Sequence, residues 1–170
     1  MIHKKIEAAI NEQIANEAYA SSSYLSMASW CEVTGLRGAA GFFYQQSDEE
    51  RVHMMKMVKY INEAGGHALV SDTKEPPSTY KSLSEAFEIA LKQEQGVTKQ
   101  INNLVDLSLE SKDYASFHFL QWFVEEQLEE EKLFRTILDV IKLGVADPKS
   151  SLLLVDNEIA KIRGEEAKAK

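Results

Sequence analysis

The sequence predicts an all-α protein: a four-helix bundle with one long crossover and a short fifth C-terminal helix. Three observations carry this expectation. Four long stretches space their apolar residues alternately by three and four, which puts each set on one helix face. Turn signals at Gly35, Gly65-Gly66, Pro76-Pro77 and Asp147-Pro148 fall between these stretches. Near the middle of every apolar face stand polar residues of the kinds that ligate metal ions.

The elements follow in order. The first helix spans about residues 2–34, and Gly35 ends it in the C-terminal position that favours glycine. The link at Leu36-Arg37-Gly38 is short, so the second helix, about residues 39–64, returns antiparallel. Gly65-Gly66 stops it. Residues 67–81 contain Pro76-Pro77 and cannot be helix interior. Ser82-Leu-Ser-Glu85 reads as a capping box opening a third helix that runs to about residue 111. Asp113 is the N-cap of a fourth helix ending near Gly144. Asp147-Pro148 reads as cap and first-turn proline of the fifth, which ends at Gly164. Residues 1–164 form one domain, and residues 165–170 a charged, frayed tail. Fifteen extended residues reach roughly 50 Å at about 3.3 Å each, and a 28-residue helix is roughly 42 Å long. The 67–81 segment can therefore cross the whole bundle and join two antiparallel hairpins.

The apolar faces read Ile10, Gln13, Glu17, Ala20, Tyr24, Met27, Cys31; then Phe43, Gln46, Glu50, His53, Met57. The third reads Leu83, Phe87, Ala90, Glu94, Val97, Ile101, Leu104, and the fourth Leu120, Phe123, Gln127, Glu130, Phe134, Ile137, Ile141. Counted from the hairpin turns, Glu17 and His53 fall at one depth, as do Glu94 and Glu130, within about one helical turn. A core carboxylate is costly unless something positive meets it. Four at a common depth with one imidazole imply bound cations, and that donor set suits iron(II) or manganese.

Composition agrees. Hydrophobic residues make up 44% and charged residues 27%, which is globular rather than disordered. Asp and Glu total 27 against 19 Lys and Arg, a net charge of −8. That balance argues against nucleic acid or an anionic membrane as partner and suits attraction of cations. No apolar run approaches a bilayer's span. Met1-Ile2-His3-Lys4-Lys5 leads into an amphipathic helix without a signal peptide's apolar core. The single Cys31 lies on an apolar face as a buried core residue, and a reducing, cytoplasmic location is consistent with it.

On Glu17, Glu50-x-x-His53, Glu94 and Gln127-x-x-Glu130, the chain resembles non-haem bacterial-type ferritins over essentially its whole length. The resemblance implies an iron-storage protein with ferroxidase activity, taking Fe(II) and oxygen as substrates. It implies a first iron held by Glu17, Glu50 and His53. A second would be held by Glu50, Glu94 and Glu130, with Gln127 as polar neighbour. It also implies a third, inner iron site on Glu49, Glu126, Glu129 and Glu130, and a site role for Tyr24 as electron and hydrogen-bond donor. Haem is not expected: in haem-binding relatives a Met follows the first Glu of E-x-x-H, and here Arg51 stands there. Met54, Met55 and Met57 are expected to pack the core. A homo-oligomeric shell of twenty-four subunits follows, with the fifth helix lining the four-fold axes.

Other residues have plainer readings. Glu125 and Glu131 belong to a solvated helix face. His3, His67 and His118 lack carboxylate companions at helical spacing and belong to the surface. Trp122 packs near the site. The fifth helix carries Leu152, Leu153, Leu154, Val155, Ile159 and Ile162, more apolar surface than one bundle edge covers, so that surface is expected between subunits. Animal-type ferritins carry acidic residues near the start of helix four, at the three-fold channel, where this chain reads Ala115 to Gln121. Two rival functions are a di-iron peroxidase or oxygenase, against which Gln127-x-x-Glu130 weighs, and a metal-free helical interaction module, which leaves four core carboxylates unexplained.

Overall fold

A computed structural model describes residues 2–146 and 151–169, with side chains to residue 165. Five helices occur among the described residues: α1 Lys4–Val33, α2 Arg37–Glu63, α3 Leu83–Glu110, α4 Tyr114–Ala146 and α5 Leu152–Ala169. α1 packs on α2 and α3 on α4, and α5 lies against α2 and α4. The first hairpin is antiparallel: Ile2 N donates to Ala64 O at 2.8 Å at one end, and Ser21 Oγ to Ser47 O at 2.7 Å midway.

The expected caps are present. Gly35 adopts φ 85°, which lets Leu36 N reach back to Cys31 O at 2.9 Å. Ser82 Oγ accepts from Glu85 N at 3.1 Å, while Glu85 reaches back to Lys81 N at 2.6 Å, one residue earlier than a standard capping box. Asp113 Oδ1 accepts from Ser116 N at 3.1 Å. After a turn at residues 64–66, residues 67–82 run along α1 as a strap. Asn11 holds His67 and Leu69, and Ser26 holds Pro77 O at 2.6 Å. Trp30 meets Tyr80 edge-on at 5.3 Å.

All four predicted faces are buried. Their apolar members form two separate clusters. One gathers Tyr24, Met27, Phe42, Phe43, Phe87, Phe134 and Ile137; the other gathers Ile6, Ile10, Ile14, Met57, Ile101, Leu120 and Phe123. Between them the buried polar residues Gln13, Glu17, Gln46, Glu50, His53, Glu94, Gln127 and Glu130 make a layer across the bundle.

Helix five departs from expectation. Asp147-Pro148 lies outside the described residues. Ser151 stands at the helix start, its carbonyl accepting from Leu154 N at 2.9 Å. α5 passes through Gly164 to Ala169, so most of the expected tail is helical. Its apolar surface is not reserved for other subunits: Val155 and Ile159 are buried on this chain's own bundle, and only Leu152, Leu153 and Leu154 remain exposed. The cause is amphipathic spacing, since Val155 and Ile159 are one turn apart on one face. Met57 is core and Met54 half-buried, but Met55, two residues from Met57, lands on the outer face and is exposed.

Leu36 gives α2 no side-chain cap; Asp156 of α5 supplies one. Its two carboxylate oxygens accept from Gly38 N and Ala39 N, both at 2.8 Å. A carboxylate there also meets the positive end of the helix dipole. Gly38 is required by the approach: a Cβ on it would lie 2.0 Å from Asp156 O. Asp156→Ala should therefore lower stability by about 1–2 kcal/mol, the range for losing a good N-cap. Gly38→Ala should lower it further by pushing α5 off the bundle. Thermal melts of both variants check this, and an unchanged midpoint in Asp156→Ala would show the cap to be idle.

Candidate metal centre

α1 and α2 supply the tightest cluster. Glu17, Glu50 and His53 are all buried, and one ligand atom from each lies within 4.8 Å of the others. Glu50 and His53 sit one turn apart on α2, with His53 Nδ1 3.3 Å from Glu50 Oε2. Aromatic rings wall the imidazole: Trp122 at 5.4 Å and Phe123 at 6.1 Å, both edge-on. Trp122 thus packs beside the site, as its position one turn before Glu126 suggested. The same ring meets Phe123 edge-on at 4.8 Å and carries Lys56 Nζ 3.8 Å from its centroid.

α3 and α4 bring the remaining groups. Glu94 is fully buried and accepts from the Tyr24 hydroxyl and from Gln127 Nε2 at 3.0 Å. Glu130, also fully buried, accepts from Gln46 Nε2 at 2.8 Å. Tyr24 is held by stacking between Phe43 and Phe134, at 6.0 and 5.8 Å. Gln13 Nε2 donates to Glu17 Oε1 at 2.9 Å. The amides of Gln13, Gln46 and Gln127 and the Tyr24 hydroxyl thus orient the carboxylates. Glu17 Oε2 and Glu50 Oε1 nevertheless face no donor. Buried carboxylate oxygens without donors are what a cation would satisfy.

The electrostatics agree. Burial first, then the Glu50 charge, pushes the Glu17 carboxyl well above its ordinary range. Burial and the Glu94 charge do the same for Glu50. Burial raises Glu94 to about 7, although the Tyr24 and Gln127 hydrogen bonds pull the other way. Tyr24 is pushed well up by burial and by Glu94, so its hydroxyl stays a neutral donor. Without a cation the layer holds protons; a cation displaces them.

The other expected residues are distributed unevenly. Glu126 is buried, with Oε1 3.9 Å from His53 Nε2. Glu129 is exposed on the adjoining face of α4. Glu49 is half-buried and lies 2.8 Å from Arg163 Nη2 of α5. Glu125 is exposed as expected, but Glu131 binds Thr98 and Arg135, both at 2.7 Å, so it ties α4 to α3 instead of facing water freely. His3, His67 and His118 are exposed. Cys31 is buried, and burial pushes its thiol up to about 12, so it is not a nucleophile. The sequence alone points to no specific role for Gln13, Gln46, Asp156 or Arg163. Gln13 and Gln46 each precede a site glutamate by one turn, which is the signal that was available.

Fold and centre together define a class: four-helix bundles with a carboxylate-rich candidate metal centre at mid-core. A family model for the ferritin-like domain matches residues 7–144. The chain is 44% identical over 162 residues to the bacterial non-heme ferritin of Campylobacter jejuni, covering 95% of this chain and 96% of that one. It is 41% identical over 160 residues to the bacterial non-heme ferritin of Staphylococcus saprophyticus, covering 94% and 95%. The fold matches an open pore ferritin from the hyperthermophilic archaeon Archaeoglobus fulgidus with a TM-score of 0.90 at 39% identity, over 94% of this chain and 98% of that one. The chain belongs to the ferritin family, in its bacterial non-haem branch, and that membership supports iron storage. No helix among the described residues is long and apolar enough to cross a membrane.

The raised carboxyls fix the sign of a pH effect. Their folded values lie above the ordinary 4.5, so their stabilising contribution is fully present below about pH 4.5 and is lost as pH climbs through the folded values, about 7 for Glu94. Glu17→Gln/Glu50→Gln/Glu94→Gln deletes the charge and keeps one acceptor oxygen on each side chain. The metal-free variant should melt above the metal-free parent at pH 8, by the equivalent of about 1–4 kcal/mol. The gap should close toward pH 5. A parent that is equally stable at pH 8 would show that the layer carries no buried-charge penalty.

Proposed function

We propose that this chain stores iron by oxidising Fe(II) with oxygen at a two-iron ferroxidase centre and retaining the ferric product as mineral inside a cytoplasmic shell of twenty-four identical subunits. The observation that carries the reading is the convergence of ligand atoms of buried Glu17, Glu50 and His53 within 4.8 Å, with carboxylate oxygens of Glu17 and Glu50 that meet no protein donor. Family membership supports it.

The residues divide the work by position. Glu17, Glu50 and His53 bind the first Fe(II). Glu50, Glu94 and Glu130 bind the second, and Gln127 orients Glu94 through its amide. The Glu50 charge raises Glu17, and Glu50 is itself raised by burial and by the charges of Glu94 and Glu130. It is therefore placed to serve both ions. Paired ions supply two electrons to one oxygen molecule. Carboxylates favour Fe(III) over Fe(II), which makes the electron loss easier. Tyr24, neutral and hydrogen-bonded to Glu94, is placed to donate a further electron with its proton passing toward that carboxylate. The layer excludes water on both sides through its two apolar clusters, so oxidation occurs away from bulk solvent. Glu126, Glu129 and Glu130 then offer a carboxylate path out of the core along α4. Exposed Leu152, Leu153 and Leu154 supply apolar surface for subunit contact.

Size-exclusion chromatography with iron loading tests the storage reading: iron should co-elute with a large assembly. A chain that stays small, or from which added iron precipitates, would overturn it. Glu130→Ala tests the two-iron assignment. The first ion keeps Glu17, Glu50 and His53, so it should still bind, while initial Fe(II) oxidation should fall roughly tenfold or more because one ion cannot supply both electrons. Unchanged initial oxidation would remove Glu130 from the centre.

A further inference from the structure

Gln127 Nε2 meets three acceptors: Glu94 Oε2 at 3.0 Å, the Glu94 carbonyl at 3.2 Å and Thr98 Oγ1 at 3.4 Å. Thr98 Oγ1 in turn donates to Glu131 Oε1 at 2.7 Å, and Glu131 Oε2 accepts from Arg135 Nη1, also at 2.7 Å. A threonine hydroxyl has one proton and two lone pairs, and a carboxylate only accepts. With its proton on Glu131, Thr98 can only accept, so the part of Gln127 that faces it has to be the NH2. Without Glu131 a helical threonine is free to give that proton to the carbonyl four residues back, here that of Glu94. Turning the amide over would set Gln127 Oε1 against three oxygens with no proton to share. Packing does not fix the amide on this flank, because Thr98, Gln127 and Glu131 line a cavity of about 270 Å³ between α3 and α4.

We propose that Thr98 and Glu131 are positioning residues for the second ion: Glu131 takes the Thr98 proton, and Thr98 so turned holds the Gln127 amide with its NH2 group on Glu94. The inference rests on the two-iron reading above and adds to it two residues that touch neither ion. Their effect is largest when Glu94 turns its charge toward an ion. The Gln127 amide then loses part of its hold on Oε2 and keeps its orientation through Thr98 and the Glu94 carbonyl. Removing outer partners of this kind weakens metal binding by roughly 10–100-fold. Thr98 stands one hydrogen bond further out than Gln127, so the low end of that range is expected. The first ion, on Glu17, Glu50 and His53, should not feel the change.

The test is titration of the metal-free assembled protein with Co(II), followed by visible absorption, which reports each ion's ligand geometry without oxidation chemistry. Thr98→Val keeps the side chain's shape and deletes its hydroxyl. It should bind the first Co(II) as the parent does and the second roughly tenfold more weakly, with a changed d–d spectrum for that second equivalent only. Thr98→Ser should restore both affinity and spectrum. Glu131→Leu should reproduce the loss. Thr98→Val/Gln127→Leu should lose no more than Gln127→Leu alone, because the two residues act in series. Parental binding of the second Co(II) by Thr98→Val would overturn the proposal. So would equal weakening of both ions, which marks general loosening, or a Thr98→Ser variant that fails to rescue. If Thr98→Val does not assemble, Glu131→Leu decides by the same readings. Failure of the two-iron reading looks different: the parent takes up one Co(II) per subunit, or Glu94→Ala leaves the second untouched.

Discussion

Desolvated carboxylate charge is the constraint on which the rest of this bundle depends. Placing Glu17, Glu50, Glu94 and Glu130 in one core layer costs several kcal/mol per ion even after relaxation. Two apolar clusters flank the layer, and each fully buried Ile or Phe in them contributes about 1.5–3 kcal/mol. The layer is tolerable because it is thin and because the helices extend well beyond it in both directions. This accounts for helices of 27–33 residues in a chain this small. It also accounts for the crossover, since parallel placement of two antiparallel hairpins at one depth needs a strap as long as the bundle.

Hydrogen bonding orients the layer without neutralising it. Gln13, Gln46 and Gln127 each point an amide at a different carboxylate, and Tyr24 points a hydroxyl at Glu94. Neutral donors fix rotamers and leave the charge in place, whereas an Arg or Lys in the same positions would have occupied the site. The contrast with Glu49 is instructive. There a guanidinium does stand against a carboxylate, outside the central layer, and a different helix brings it.

How much of this was legible in the sequence follows from the range of each interaction. The four faces and the depth of Glu17, Glu50, His53, Glu94 and Glu130 could be read because helical periodicity and short hairpin turns are local, and depth is counted from those turns. Gly35, Ser82 and Asp113 were legible for the same reason. The roles of Asp156 and Arg163 were not. Their partners Gly38 and Gln45 are each 118 residues away, and a lone Asp or Arg on a charged helix carries no periodic signal. The end of α5 was misplaced because Gly164 looks like a terminator, yet an isolated glycine costs only about 1 kcal/mol in a helix interior. Gly96 sits inside α3 in the same way. Met55 was assigned to the core by residue type where its helical position faces outward.

The centre's asymmetry has a physical consequence on the proposed reading. The first ion meets two carboxylates and an imidazole on a helix pair joined by a tight turn. That turn, Leu36 with Gly38 behind it, is clamped from outside by Asp156. The second meets carboxylates alone, on residues drawn from three helices, and Gln127 spends its amide on Glu94 rather than on an ion. Imidazole is the softer donor and suits retained Fe(II), while an all-oxygen set gains most when the ion becomes Fe(III). On that reading, the helix pair joined by the clamped turn carries the donor set suited to holding, and the longer-range set carries the one suited to oxidation and release. Glu126 stands against His53 at the edge of the first set, and Glu129 one turn later meets solvent. On that reading, a ferric ion leaving the second position meets the buried Glu126 and the exposed Glu129 on the same helix as Glu130.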